Sequence, residues 1–287
     1  MAQLLKATTH DIGGIEVKRL LPHMKKRMVG PFIFFDRMGP SHFPQGRGIE
    51  VKPHPHIGLS TLTYLIEGKV LHRDSLGNQL EIAPGDVNWM TAGKGIVHSE
   101  RESFETRGKP HHIDGLQSWV ALPKAYADIA PSFEHINRDE LPQSIQGGIM
   151  KRVIAGHAYG LTSPIRTYSP LFYVDIIATM QNTLDLPSDT QETAIYIIFG
   201  ALRIDDVEYN AGDLVLIEDL HSRVITLEDS RVILLGGDKW DSVPYIHWNF
   251  VSFSKARIDQ AKLDWENGHF PAIPDDNLEF VPLPTRK

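Results

Sequence analysis

The sequence predicts an all-β protein built from two copies of one barrel. Short segments rich in β-branched and aromatic residues recur along the chain, bounded by Gly, Pro and Asn turns. A sustained helical period is confined to one stretch near the C-terminus. The third observation is an internal echo. Thr61-Leu62-Thr63-Tyr64-Leu65-Ile66-Glu67-Gly68 resembles Thr193-Ala194-Ile195-Tyr196-Ile197-Ile198-Phe199-Gly200, and Pro84-Gly85-Asp86 resembles Ala211-Gly212-Asp213. His98-Ser99-Glu100 pairs with His221-Ser222-Arg223 over a shorter spacing.

Composition narrows the function classes. The chain has 287 residues, ample for two modest domains, and 41% hydrophobic content is ordinary for a globular protein. It contains no run of eighteen apolar residues, and its first ten residues lack an apolar signal region. Cysteine is absent, which excludes disulfides and thiolate chemistry and makes the cytoplasm the default location. The formal net charge of −7 argues against direct nucleic-acid binding, and no membrane role is expected. Lys25-Lys26-Arg27 reads as a solvated basic triplet.

In order, residues 15–20 alternate and read as a first strand. Residues 31–36 are aromatic and strand-like, ended by Gly39-Pro40; their phenylalanines read mainly as core, with a pocket wall as the other use. Segments 57–66, 70–74, 79–82 and 87–91 follow as strands. His72 reads either as a fifth polar group near the site or as a turn residue, with the turn favoured. Residues 101–114 read as a polar loop, so His111 and His112 are expected there rather than in a ligand set. Residues 116–122 form a strand on which Gln117 and Trp119 share one face and Ser118 and Val120 the other, and periodicity does not choose which faces inward. Residues 123–128 suit one helical turn, and 131–148 read as a connection between halves. Strands resume at 149–154, 171–177, 194–199, 214–217 and 231–235. Residues 254–266 place Ile258, Ala261 and Trp265 on one helical face, with Gly268 as the stop, and residues 270–284 carry four prolines in an extended surface tail.

The chemistry concentrates in residues 48–100. Side chains two apart on a strand share a face, so His54 and His56 form one pair and His98 and Glu100 another. If the two strands are neighbours, three imidazoles and a carboxylate converge. Nitrogen and hard oxygen without sulfur suit one divalent transition metal per chain. Four ligands leave about two positions open on an octahedral ion, as a reactive centre requires and a closed structural site does not. Iron(II) is the first choice; manganese, nickel, copper and zinc suit the same donors.

The frame around these residues, HPHIGLSTLTYLIEG (54–68), HRDSLGN (72–78) and PGDVNWMTAGKGIVHSE (84–100), resembles the two cupin motifs and, more closely, the pirin family. The resemblance spans nearly the whole chain and is densest over residues 29–100. The usual cupin carboxylate position falls near Ser60 or Thr61 and is lost, while Glu100 stands where pirins place theirs. The resemblance implies two double-stranded β-helix (cupin, jelly-roll) barrels with a short C-terminal helix and tail. The metal-binding domain would span residues 1–133. A cupin-like domain without a metal site, with the helix and tail, would span 134–287. In the second copy the positions of His54 and His56 become Leu186 and Ser188, and Glu100 becomes Arg223, which repels a cation.

The resemblance also implies an activity, since pirin-like proteins include quercetin 2,3-dioxygenases. The substrates would be a flavonol-like aromatic and dioxygen, the ring opening with release of carbon monoxide. Glu100 would act as both ligand and catalytic proton acceptor. The alternative the family offers is a regulatory protein that acts through a protein partner, as a transcriptional co-regulator or a modulator of a metabolic enzyme.

Overall fold

The computed structural model describes residues 2–187 and 192–284. Its strands run β1 (Ala2–Leu5), β2 (Thr8–Ile12), β3 (Ile15–Leu21), β4 (Phe32–Phe43), β5 (Glu50–His56), β6 (Leu59–Glu67), β7 (Val70–Asp74), β8 (Gln79–Ile82), β9 (Val87–Thr91), β10 (Ile96–Arg101), β11 (His111–Ala121) and β12 (Ser132–Ile136). They continue as β13 (Gln143–Gln146), β14 (Ile149–Ala158), β15 (Leu161–Thr162), β16 (Leu171–Ala178), β17 (Thr183–Leu184), β18 (Glu192–Phe199), β19 (Ala201–Ile204), β20 (Val207–Asn210), β21 (Leu214–Ile217), β22 (Val224–Thr226), β23 (Ser230–Gly237), β24 (Tyr245–His247) and β25 (Phe250–Ser252). Helix α1 (Phe104–Arg107) is a single turn, and α2 (Lys255–Glu266) is the C-terminal helix.

The chain packs as two units, each a cupin-type double-stranded β-helix. One gathers Thr9–Arg19, Phe34–Arg138 and the segment from Ser242 onward; the other gathers the N-terminal strand, Leu20–Ile33 and Asp139–Asp241. The single cut expected at 133/134 therefore differs from how the chain packs. β1 pairs with β21 in the C-terminal barrel, while α2 and the tail belong with the N-terminal barrel. These exchanges rest on pairing between segments far apart in sequence, which local periodicity does not encode.

In the N-terminal barrel one sheet runs β12-β9-β6-β11-β4-β3-β2 and the other β5-β10-β7-β8. β3 alternates buried and exposed positions over its first half, as a half-buried strand should. β9 and most of β6 are buried on both faces, so their polar residues Thr61, Thr63 and Asn88 are enclosed. The echo between halves is real at the turns. Gly85 (φ 89°) and Gly212 (φ 91°) each precede an aspartate whose Oδ2 accepts a backbone N–H three residues back, from Ala83 at 3.2 Å and from Asn210 at 2.9 Å. Positive φ is the reason glycine stands at both.

Several local expectations need correction. β4 runs through Gly39-Pro40 to Phe43, because Gly39 adopts φ 81° and lies against the Ile113 carbonyl, where a Cβ would come within 2.4 Å. Residues 101–114 hold α1, capped by Ser103, and the start of β11. His111 and His112 are thus strand residues, and His111 Nε2 shares a hydrogen bond of 3.0 Å with Glu102 Oε2. Residues 131–148 hold β12, paired to β9, and β13, paired to β14. The match of His221-Ser222-Arg223 to His98-Ser99-Glu100 fails: that segment is a turn ahead of β22, with His221 and Arg223 exposed. Leu186 packs on the apolar core of the C-terminal barrel, and Ser188 lies outside the described residues. The helix follows expectation, with Ser254 as its cap, Ile258 and Ala261 buried, and Gly268 (φ 69°) just past its end.

Candidate metal centre

β5 and β10 are antiparallel neighbours in register His56↔Ile96 and His54↔His98. This pairing brings the two histidine segments to one place. His54, His56 and His98 are all buried, and their donor nitrogens lie within 4.8 Å of one another. Among the described residues no other group of three such side chains meets that condition. The His54 Nδ1–H donates to the Lys52 carbonyl at 2.8 Å, which turns its Nε2 toward the cluster. Nε2 of His56 and Nε2 of His98 are 3.1 Å apart. Two nitrogens bound at right angles to one ion at about 2.1 Å would be about 3.0 Å apart, so the pair has the spacing of two ligands. Among the described residues Nδ1 of His98 is buried without a hydrogen-bond partner, so none of their contacts outside the cluster fixes that ring's tautomer.

Burial also sets the charge state. It lowers the His54 pKa to about 4, against the opposing pull of the Lys52 carbonyl. Burial and the neighbouring imidazoles hold His56 and His98 well below the usual range. All three are therefore neutral near pH 7, with lone pairs available to a cation.

Glu100 stands apart from this cluster. The register shifts between His98 and Glu100, and beyond the shift Glu100 pairs with Val51. Its Oε1 lies 3.3 Å from Thr63 Oγ1, which also contacts Gln117 Oε1 at 2.8 Å. Loss of solvent raises its carboxyl pKa, with His72 and Thr63 opposing.

The structure also settles the phase of β11. Gln117 meets Thr63, and Trp119 lies 5.1 Å edge-on from His56, so their face lines the site. The registers Trp119↔Thr61↔Met90 and Gln117↔Thr63↔Asn88 extend that face across three strands. Phe34 stacks on Trp119 at 4.0 Å and so backs the site's indole, with the Arg19 guanidinium 4.4 Å from its ring, whereas Phe32 and Phe35 are plain core. His72 is not the turn residue favoured above but a buried residue in the middle of β7, close to the site. Its Nε2 bonds Asp74 Oδ2 at 3.0 Å, and its ring stacks on Phe133 and lies 5.5 Å from His98. Sequence reasoning gave neither Thr63 nor Phe133 a role at the site; the hydrogen bonds of Thr63 and the stacking of Phe133 on His72 reveal them.

Three buried neutral imidazoles with convergent nitrogens fit a divalent metal ion, which makes comparison with known proteins informative. Residues 14–120 match the pirin family model and residues 173–271 match the pirin C-terminal cupin domain. A pirin-like protein of Caulobacter vibrioides is 47% identical over 284 residues, covering 97% of each chain. A crystal structure of quercetin 2,3-dioxygenase from Acinetobacter baumannii aligns with TM-score 0.91 at 34% identity, over 100% of this chain and 96% of its own. A bacterial pirin from Escherichia coli in complex with nickel(II) aligns with TM-score 0.65 over 83% of this chain and 99% of its own; at 20% identity this shows likeness of fold. Matched in both barrels by the family's models and along nearly its full length by such a relative, the chain belongs to the pirin family.

Proposed function

We propose that this protein is an iron(II)-dependent dioxygenase acting on flavonols of the quercetin type. The observation that carries this reading is the convergence of His54, His56 and His98, buried and neutral, beside flat aromatic walls inside a barrel. Such a site binds a metal while keeping water from reactive species. Glu100 is proposed as the fourth ligand. The ion, when bound, supplies Lewis-acid polarisation of an oxygen donor and one-electron chemistry with dioxygen.

The chain's own residues do the rest. His54 is oriented by the Lys52 carbonyl, so its Nε2 is the donor. The carboxyl of Glu100, raised in pKa by burial, takes the proton of the substrate's 3-hydroxyl at its oxygen, while Thr63 steadies Oε1. Trp119, backed by Phe34 and adjacent to His56, offers an aromatic wall, and Gln117, held by Thr63, offers an amide to a phenolic group. Flavonol and dioxygen give a depside and carbon monoxide, with all atoms accounted for.

The test is oxygen uptake and carbon monoxide release by iron-loaded protein with quercetin, with His98→Ala as control. Equimolar uptake and release, lost in His98→Ala, is expected. Stoichiometric metal without uptake across a flavonol panel would overturn the enzymatic reading in favour of the regulatory one.

A further inference from the structure

We infer that the C-terminal tail is a clasp that fixes the ligand-bearing strands of the metal centre, with Asp276 as its principal positioning residue. The metal part of this inference rests on the reading above; the strand part does not.

The ligand strands need outside support. β5 carries Pro53 and Pro55 on either side of His54, and neither can donate to the ladder. Between the pairs His98↔His54 and Glu100↔Val51, one residue of β10, Ser99, faces two of β5, Lys52 and Pro53. This bulge lies within two residues of three of the proposed ligands, and bulges weaken local pairing while re-aiming side chains.

The tail contacts all three residues of that bulge. Ser99 Oγ donates to Asp276 Oδ2 at 2.6 Å. The Val281 N–H donates to the Pro53 carbonyl at 2.9 Å. Lys52 Nζ pairs with Glu279 Oε2 at 2.7 Å. Arg101, next to Glu100, completes the clasp. Its Nε and Nη2 reach the two oxygens of Asp276 at 3.1 and 2.9 Å, and Nη2 also reaches Glu279 at 2.9 Å. Arg73 of β7 stands 3.8 Å from Asp276, so a third strand is included. The Asp276 side chain is only 9% exposed and Arg101 13%, against 42% for Glu279 and 45% for Lys52. Solvent screens the outer pair, so the weight falls on Asp276. The tail is itself anchored. Trp265 of α2 donates to the Val281 carbonyl at 3.0 Å, and Ile258 and Ala261 of the same helix join Ile57 and Phe250 in a core cluster.

The arrangement does for the strands what hydrogen-bonded outer partners do for individual ligands. Loss of such partners costs about 10- to 100-fold in metal affinity. The experiment compares Asp276→Ala, Asp276→Asn and Glu279→Gln in the full-length protein with two readouts. In metal-free protein, hydrogen exchange over residues 50–56 and 96–101 should rise at least about tenfold in Asp276→Ala, with exchange in the C-terminal barrel unchanged. In nickel-loaded protein, release to a chelator should accelerate about tenfold or more. Asp276→Asn keeps an acceptor for Ser99 and should recover part of both effects, and it also serves if the alanine variant fails to fold. Glu279→Gln should change each by less than about twofold. Unchanged exchange overturns the clasp. Faster exchange with unchanged nickel release overturns its role in positioning ligands and leaves a structural strap. A wild-type protein that takes up no nickel overturns the metal reading, and exchange then decides the clasp alone.

Discussion

Glu100 and His98 lie two apart on one strand, in unbroken register with β7, yet only His98 enters the histidine cluster. Glu100 instead joins Thr63 and Gln117, in surroundings that raise its pKa. A carboxyl so placed is suited to holding and releasing a proton. Glu100→Gln separates that role from shape. Glutamine keeps an oxygen for Thr63 but takes up no proton. Turnover should fall by about 10²- to 10⁴-fold, the usual worth of a general base. Metal affinity should fall by no more than about 100-fold. Steady-state oxygen uptake and metal analysis of the same preparation check this; wild-type values for both would remove Glu100 from the centre.

At the scale of elements, the C-terminal hairpin β24–β25 and the chain just after the His54/His56 pair are fitted backbone to backbone. The Val251 N–H donates to the Ile57 carbonyl at 3.1 Å, and Ile57 bridges to Phe250. Gly58 has φ 69°, and a Cβ there would lie 2.0 Å from the Val251 carbonyl oxygen, which is backbone and cannot swing aside. Gly58→Ala should therefore cost roughly 2 to 4 kcal/mol, combining a positive-φ strain with a clash. Denaturant unfolding measures it, and a loss under about 1 kcal/mol would show that the hairpin is not seated there. This contact marks the boundary of what could be read from residue order. The histidines were legible because a period of two fixes His54 with His56 and a hydrophobic strand follows each turn. The inward face of β11 was not, since Gln117, Ser118, Trp119 and Val120 are all buried and no alternation distinguishes core from pocket. The pairing of β1 with β21, the passage of β4 through Gly39-Pro40 and the tail on Ser99 all depend on partners more than seventy residues away.

Over the whole molecule, the two barrels carry one plan with opposite interiors. Where the N-terminal barrel has Thr63, the echo places Ile195; where it has Asn88 and Met90, the same offset from the shared turn places Val215 and Ile217. Ile195, Val215 and Ile217 all belong to the apolar core cluster of the C-terminal barrel, and Leu186, at the position of His54, packs against it. A filled apolar interior offers a cation no ligands, and desolvating an ion there would cost far more than any contact returns. His221 and Arg223 are exposed in a turn, so neither guards nor completes a second site. Metal analysis should therefore give about one ion per chain, as one cluster of three histidines allows. Arg223→Ala and His221→Ala should leave that value unchanged, whereas His98→Ala should abolish it. If removing Arg223 or His221 lowered the stoichiometry, the C-terminal barrel would have to bind metal by residues other than its core, and the division of labour between the halves would fail.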